Sequence, residues 1–244
     1  MVHAYGSTHQ QPSRHVDTLF APPKHTGVTY PIQSVAIDWE RLIATRPFVL
    51  GTVNTMPGYL LKPEVLTLLD VEKHPSYRLI LDLMWSTGGR ISEILAVTPA
   101  SFCREGKDFG VVFKPTKDGP GRPSNQALLR RPRRYVPIID EVLIDRIESY
   151  LRAGTFRPNE RIFPVVRQTV NRHISKLIED VGGAPFHISA HTFRHSFAIH
   201  LLLHGRPLSY VAQVLGHKSV DSSEIYTKVL TIDGGNFLRG VDFH

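Results

Sequence analysis

The sequence contains a single cysteine, Cys103, among its 244 residues. One cysteine can form neither an intramolecular disulfide nor a multi-cysteine metal site, which favours a reducing, intracellular setting. Long apolar runs are also missing: none approaches the roughly 20 residues that a membrane helix needs, and the N-terminus lacks an apolar signal core. We therefore expect a soluble, cytoplasmic protein that is stabilised by its hydrophobic core.

Acidic residues are in the minority, because 29 lysines and arginines face 22 aspartates and glutamates, a net charge of +7. Such an excess favours a polyanionic partner such as nucleic acid. Basic composition is common in proteins of other functions too, so the motifs must decide the function class.

Helical periodicity is scarce before residue 59, where Pro, Thr, His and Gly are frequent. One amphipathic stretch, Ser34 to Ile43, could form a helix. Residues 1–58 are therefore predicted to be an N-terminal arm or the remnant of a small helical domain. Residues 59–230 are predicted to form a compact domain, and 231–244 a C-terminal tail.

The compact domain is predicted to be mainly α with a small antiparallel β-sheet, an α+β fold. Two strand candidates, Phe109–Lys114 and Arg133–Ile138, flank a long basic loop. Apolar periodicity and end signals predict helices that begin at Lys62 and at Ile91, and helices over Ser76–Ser86, Asp140–Arg152, Gln168–Val181, His191–Leu203, Pro207–Leu215 and Ser222–Val229.

Several short segments carry the side chains that metal-free cleavage of a phosphodiester requires. That reaction needs a nucleophile, positive donors for the two non-bridging oxygens and an acid for the leaving 5′ oxygen. The segments are Thr87-Gly88-Gly89-Arg90-Ile91-Ser92-Glu93-Ile94, Lys117 in the basic loop, His191-Thr192-Phe193-Arg194-His195, Leu215-Gly216-His217 and Ile225-Tyr226-Thr227.

In order and spacing, these segments resemble the motifs of the tyrosine recombinase and phage integrase family, over roughly residues 59 to 230. The resemblance implies a DNA strand-exchange enzyme that cuts one strand at a time through a 3′-phosphotyrosyl bond, with no cofactor. It further implies double-stranded DNA as the partner, a homo-tetramer built from one dimer per site, and accessory DNA-bending proteins in some systems. The implied catalytic set is Arg90, Lys117, His191, Arg194, His217 and Tyr226.

Each implied role suits its side chain. Arg90 and Arg194 would grip the phosphate, because planar guanidinium groups match its oxygens. His191 and His217 would donate to the phosphate or carry protons, and His191 shares a helix face with Arg194. His195 falls on another face, which favours a structural or supporting role.

The lysine is less well determined than the other groups. Thr116-Lys117-Asp118-Gly119 resembles the lysine turn of the family, so Lys117 is the expected general acid, with Lys114 as the alternative. Both lysines could instead contact DNA phosphates only. DNA-backbone contacts are expected from Lys114, Arg130, Arg131, Arg133 and Arg134.

Tyr226 lies among polar residues, which predicts an accessible hydroxyl. A phenol has a pKa of about 10, so nearby cations would have to activate it. In the tail, Phe237 and Leu238 are candidates for docking on a neighbouring protomer.

Three alternatives stay open: a topoisomerase-like enzyme, a catalytically silent DNA-binding regulator and a metal-dependent hydrolase. The last is suggested by His191 and His195 at i and i+4, but position 192 is threonine where zinc proteases carry glutamate. For a recombinase, resolution of plasmid multimers or mobile-element cointegrates is favoured over inversion, and integration is a further option.

Overall fold

The computed structural model describes residues 36–52, 56–115, 133–217 and 219–232. The predicted class, mainly α with a small antiparallel sheet, is confirmed. The elements are α1 (Trp39–Thr52), α2 (Lys62–Val71), α3 (Pro75–Thr87), α4 (Ile91–Ile94), β1 (Phe102–Glu105), β2 (Asp108–Phe113), β3 (Arg134–Pro137), α5 (Glu141–Ala153), α6 (Arg167–Asp180), α7 (Ala190–Leu203), α8 (Leu208–Leu215), α9 (Asp221–Glu224) and α10 (Thr227–Ile232). None of the helices in these ranges is long and apolar enough to span a membrane.

Local signals in the sequence set several helix ends. Proline stands in the first turn of α2, where its missing N–H costs nothing. Asp140 caps α5 and accepts hydrogen bonds from the backbone N–H groups of Val142 (3.0 Å) and Leu143 (3.3 Å). The predicted break after α3 is confirmed, because Gly88 adopts the left-handed conformation that ends many helices.

The sheet has the strand order β1-β2-β3, and both strand pairs are antiparallel. Its register places Val111 opposite Val136. Strands β2 and β3 match the two predicted strands, whereas β1 was not predicted. The four residues of β1, Phe-Cys-Arg-Glu, are mostly exposed and lack an apolar alternation. The loop residues 116–132, Lys117 among them, lie outside the described residues.

Helix α7 lies in the core and packs against α3, α8 and α10. Phe193 and Ala198 are fully buried, as an interior helix requires. Arg194 and Ser196 are buried on the same helix. Packing over most of its surface therefore fixes α7, the helix that carries the segment His191–His195.

Two predicted helices differ from the structure. The first lies at Trp39–Thr52 instead of Ser34–Ile43, and its Arg46 pairs with Glu64 of α2. The single helix predicted over Ser222–Val229 is wrong, because the chain forms α9 and α10 with a bend at Ile225-Tyr226. At that bend the N–H of Tyr226 donates to Ser223 O, a tighter turn than an α-helix makes.

Replacement of Gly88 by alanine is expected to lower the free energy of unfolding by about 2–4 kcal/mol. Gly88 has φ 59°, and a Cβ atom there would lie 2.3 Å from Cδ1 of Phe197. Gly205→Ala is the matched control, because Gly205 has φ 70° with open space around a Cβ atom. We expect that control to lose only about 1–2 kcal/mol in urea unfolding. Equal losses in both variants would show that the close approach to Phe197 is unimportant.

Candidate active site

Three arginines donate to three consecutive backbone carbonyls at the C-terminal end of α8. The last carbonyls of a helix lack partners inside the helix and carry the negative end of its dipole. One arginine from the α3–α4 turn, one from β3 and one from α7 therefore lie side by side at this helix end. We call these three residues the arginine cluster. The pairs are Arg90 Nη2 with Gly216 O (3.4 Å), Arg134 Nη1 with Val214 O, and Arg194 Nη2 with Leu215 O (2.6 Å).

Arg194 is buried, and two backbone carbonyls hold its guanidinium group in place. Its residue is 5% exposed, and its second amino group, Nη1, donates to Gly88 O at 2.6 Å. Burial, followed by the positive charge of Arg90, lowers the pKa of Arg194 to about 9. The group is therefore cationic at neutral pH, and an anion nearby would relieve the repulsion between the arginines.

The double glycine brings Arg90 to this point. A Cβ atom on Gly89 would lie 2.6 Å from Cδ1 of Ile94 and 2.9 Å from the ring of Phe113. The chain can therefore pass close to α4 and β2 only because position 89 lacks a side chain. The Arg90 side chain is 36% exposed, so a ligand from solvent can reach it.

Glu93 links two members of the arginine cluster. Its carboxylate accepts from Arg90 Nη1 at 3.2 Å and from Arg134 Nη2 at 2.6 Å, and its side chain is 8% exposed. It also accepts from the backbone N–H of Arg90 at 2.8 Å. A buried carboxylate with two guanidinium partners fixes their separation, so Glu93 positions Arg90.

His217 is the next residue after the three carbonyls that accept hydrogen bonds from the arginine cluster. Its Nδ1 lies 2.6 Å from the hydroxyl oxygen of Ser223 in α9. Burial, followed by the charges of Arg194 and Arg90, lowers the pKa of His217 to about 4. The ring is therefore neutral at physiological pH and can donate a hydrogen bond through one nitrogen only.

Tyr226 is 3% exposed, contrary to the accessible hydroxyl that its polar neighbours predicted. The bend between α9 and α10 turns its ring inward, where its hydroxyl oxygen Oη lies 2.9 Å from Nδ1 of His195. Burial raises the pKa of Tyr226, and the charge of Arg194 opposes that shift.

The structure thus brings together Arg90, Arg194, His217 and Tyr226 from four separate segments. His191 is exposed on the first turn of α7. Lys114 and Arg133 are exposed beside the ends of β2 and β3. Arg134, also predicted as a DNA contact, donates to Glu93 and to Val214 O. Arg130 and Arg131 lie outside the described residues, as do Phe237 and Leu238.

Sequence reasoning gave no role to Glu93 and Ser223, and it gave His195 only a structural or supporting one. Glu93 has a local signal, since a glutamate three residues after the start of a helix commonly accepts from the backbone there. Ser223 and His195 have none, because their partners become visible only when α7, α8 and α9 are packed together. Among the described residues, no group of three or more His, Cys, Asp or Glu side chains could share a metal ion.

We expect acidification from about pH 7.5 to about pH 5 to destabilise the fold. Burial is the largest cause that lowers the pKa of His195 to about 4, of His200 to about 3 and of His217 to about 4. In the unfolded chain these groups would titrate near 6.5, so the unfolded state binds more protons as the pH falls below that value. Stability is therefore present above the unfolded pKa and is lost progressively below it.

Urea unfolding at several pH values measures this loss, and His200→Leu provides the comparison. His200 contacts Trp39 and Trp85, and in the described part of the chain its buried Nδ1 has no hydrogen-bond partner. The variant should show a shallower dependence of the unfolding free energy on pH. A constant unfolding free energy across this range would contradict the assignment of neutral, buried histidines.

Several known proteins are similar to this chain in sequence. Residues 59–231 match the model of the phage integrase family. A probable site-specific recombinase in the afa region of Escherichia coli is 30% identical over 203 residues, covering 81% of this chain and 80% of that protein. A resolvase of Escherichia coli strain K12 is 30% identical over 218 residues, covering 82% of this chain and 81% of that protein.

Solved structures share the fold. The XerH site-specific recombinase in a post-cleavage complex with a palindromic difH substrate superposes with a TM-score of 0.60 and 22% identity. The match covers 78% of this chain and 54% of the XerH chain. The XerA recombinase gives a TM-score of 0.57 at 23% identity, covering 75% of this chain and 64% of that chain.

Proposed function

Because this chain belongs to the phage integrase family of tyrosine recombinases, we propose that it recombines DNA through a covalent bond between Tyr226 and a 3′-phosphate. The observation that carries this proposal is the convergence of Arg90 and Arg194 on adjacent carbonyls, Gly216 and Leu215, at the segment that also supplies His217. A phosphodiester placed against these cations would meet Tyr226 as its nucleophile.

The arginines stabilise the negative charge that develops on the non-bridging phosphate oxygens. A guanidinium group has five N–H donors, and carbonyls take two of those on Arg194, which leaves three for phosphate oxygens. Preorganised donors in a partly buried site stabilise a pentacoordinate transition state more than they would in water. His217 and His191 add hydrogen bonds to the same phosphate.

The leaving 5′ oxygen needs a proton. We assign that proton to Lys117, with Lys114 as the alternative, since the β2–β3 loop carries both and β3 is tied to the site through Arg134 and Glu93. A flexible ammonium group can follow a leaving oxygen. The energy of the broken bond is kept in the phosphotyrosyl ester, so the reaction requires neither ATP nor a metal ion.

The partner is double-stranded DNA, held by phosphate contacts from Arg133, Lys114, Arg130 and Arg131. Such binding weakens steeply as salt rises. Exchange between two duplexes uses four active sites, so the acting unit is a homo-tetramer with one dimer on each site. The reaction takes place in the cytoplasm, where that DNA lies.

Tyr226 must become reachable before it can attack. Only 3% of the residue is exposed, so α9 and the bend after it have to shift when DNA binds, by little enough that Oη stays within reach of His195. Helix α9 has only four residues and is followed by a tight bend, so a small local shift can expose the hydroxyl. DNA binding would thereby limit cleavage to the assembled complex.

Resolution of plasmid multimers or cointegrates is the biological role that we favour. Two of the relatives, both from Escherichia coli, bear the name resolvase, and each aligns over 82% of this chain. Resolution is recombination between two sites in the same orientation on one DNA molecule, whereas inversion requires two sites in opposite orientation.

Covalent capture tests the proposed chemistry. The protein is incubated, with chelator present, with fragmented DNA from the organism that carries its gene, and adducts are isolated under denaturing conditions. Trypsin then releases the peptide Ser219–Lys228, in which Tyr226 is the only tyrosine. We expect this peptide to carry the nucleotide and the attached DNA to reveal one recurrent site. Attachment to another residue, or its loss with chelator, would refute the proposal.

Substrates that carry the mapped site then separate recombination from the cutting and resealing of a single duplex. Two duplexes that carry the site should yield four-way junctions and exchanged products. A topoisomerase-like enzyme would relax supercoiled DNA without exchange, and a silent regulator would bind the site without forming an adduct.

A further inference from the structure

Tyr226 and His195 form a direct hydrogen bond inside the domain. Nδ1 of His195 lies 2.9 Å from Oη of Tyr226, and the two ring centroids are 5.7 Å apart. His195 belongs to α7, the buried helix that also carries Arg194, so packing fixes its position. The atom that would attack phosphorus is therefore already in contact with a side chain that can accept a proton.

A phenol must lose its proton when it attacks a phosphodiester. We propose that His195 is a catalytic residue that takes this proton from Oη of Tyr226 during cleavage and returns it during rejoining. This role rests on the proposed function, since it concerns the nucleophile of that reaction. It goes further by naming the group that activates the nucleophile.

Among the other groups at the site, His191 is exposed on the first turn of α7 and is assigned to the phosphate above. Nδ1 of His217 contacts the Ser223 hydroxyl, and the guanidinium groups of Arg90 and Arg194 have no lone pair to accept a proton. A base must lie within hydrogen-bond reach of the proton that it removes, and Nδ1 of His195 meets that condition.

The surroundings keep the His195 ring neutral before DNA binds. Burial, followed by the charges of His191 and Arg194 on its own helix, lowers its pKa to about 4. From other elements, His217 and Tyr226 face it as well. A bound DNA phosphate would offset these positive charges and raise the pKa of His195, which makes it a stronger base when the substrate is present.

Cleavage and rejoining pass one proton between Tyr226 and His195. The Oη–H bond of Tyr226 breaks and its proton moves to Nδ1 of His195, while a lone pair of Oη forms the bond to phosphorus. The bond from phosphorus to the 5′ oxygen breaks, and that oxygen takes the proton assigned above to a lysine. In rejoining, the 5′ hydroxyl attacks phosphorus and gives its proton back to the lysine. Oη then leaves, and the His195 imidazolium returns its proton to Oη.

His195→Asn is the discriminating variant. The Oδ1 atom of asparagine can occupy the place of Nδ1 and accept the hydrogen bond from Tyr226, but an amide cannot take up the proton. We expect single-turnover cleavage of a nicked duplex carrying the mapped site to slow by about 100-fold or more. Binding of the intact duplex should be unchanged. His187→Asn is the matched control, because His187 is exposed outside the site.

The pH profile separates a base from a purely positioning residue. Wild-type cleavage should rise with pH until the histidine in the complex is neutral and then level off. In His195→Asn that rise should be replaced by a rate that keeps increasing with pH, because hydroxide must then remove the proton. A substrate with sulfur in place of the bridging 5′ oxygen should not rescue the variant, since sulfur relieves only the need for an acid.

The outcomes are distinct. If His195→Asn cleaves as fast as wild type, or faster, with an unchanged pH profile, the role of His195 is wrong while Tyr226 chemistry stands. Rescue by the sulfur-containing substrate would also overturn it, because the defect would then lie on the leaving-group side. If wild-type protein forms no adduct at all, the proposed function itself fails.

Discussion

Tyr226→Phe is expected to form no covalent complex with DNA and to yield no recombinant product. The variant lacks the only atom that can form the phosphotyrosyl bond, so the loss should be complete. Its fold should persist, because the ring still fills the same buried space. Loss of one hydrogen bond leaves Nδ1 of His195 without its partner, at a cost of about 1 kcal/mol in unfolding free energy.

A denaturing gel of protein incubated with a nicked duplex carrying the mapped site measures this result. Tyr210→Phe is the control, since Tyr210 is 42% exposed on α8 and should be replaceable without effect. Binding of the intact duplex by Tyr226→Phe should match that of wild type. A covalent band that persists in Tyr226→Phe would identify another nucleophile.

Arg194→Lys is expected to reduce the single-turnover cleavage rate by about 1000-fold. Lysine keeps the charge, but its single ammonium cannot reach both Gly88 O and Leu215 O and also present a planar pair of donors to a phosphate. One of the buried carbonyls would lose its partner, so we also expect a lower free energy of unfolding, by about 1–3 kcal/mol.

Two companion variants separate chemistry from folding. Arg90→Lys should slow cleavage in the same direction with little loss of stability, because the Arg90 side chain is 36% exposed. Arg152→Lys should be neutral, since the Arg152 side chain is 69% exposed and pairs with Glu148 on its own helix. A cleavage rate in Arg194→Lys close to that of wild type would contradict a direct contact between Arg194 and the phosphate.

Most of the fold could be predicted from the sequence because its signals are local. The Asp140 cap, the proline in the first turn of α2 and the glycine after α3 act over a few residues each. Strand β1 lacks such a signal, since its pairing with β2 gives it its conformation. The bend before Tyr226 was missed for a related reason: its polar sequence fits a helix, and only the packing of α10 on α7 places the ring inside.

The identity of the site residues was easier to predict than their mutual contacts. Motif spacing indicated Arg90, Arg194, His217 and Tyr226, which the structure brings together. The pairing of Glu93 with Arg134 spans 41 positions, and that of His195 with Tyr226 spans 31, so neither follows from helical periodicity. His195 was assigned a supporting role because only its own helix was considered, whereas the segment that bears Tyr226 approaches α7 from another direction.

The arrangement at the end of α8 has a consequence for how the gene tolerates mutation. The acceptors of the arginine cluster at Val214, Leu215 and Gly216 are main-chain oxygens, which every amino acid supplies. Substitutions at these positions that preserve the helix end therefore leave the acceptors in place. The side-chain partner Glu93 has no such redundancy, and a single nucleotide change there can remove it. We expect genetic screens for loss of function to recover substitutions of Glu93 more often than substitutions at residues 214–216 that disrupt the hydrogen bonds of the arginines.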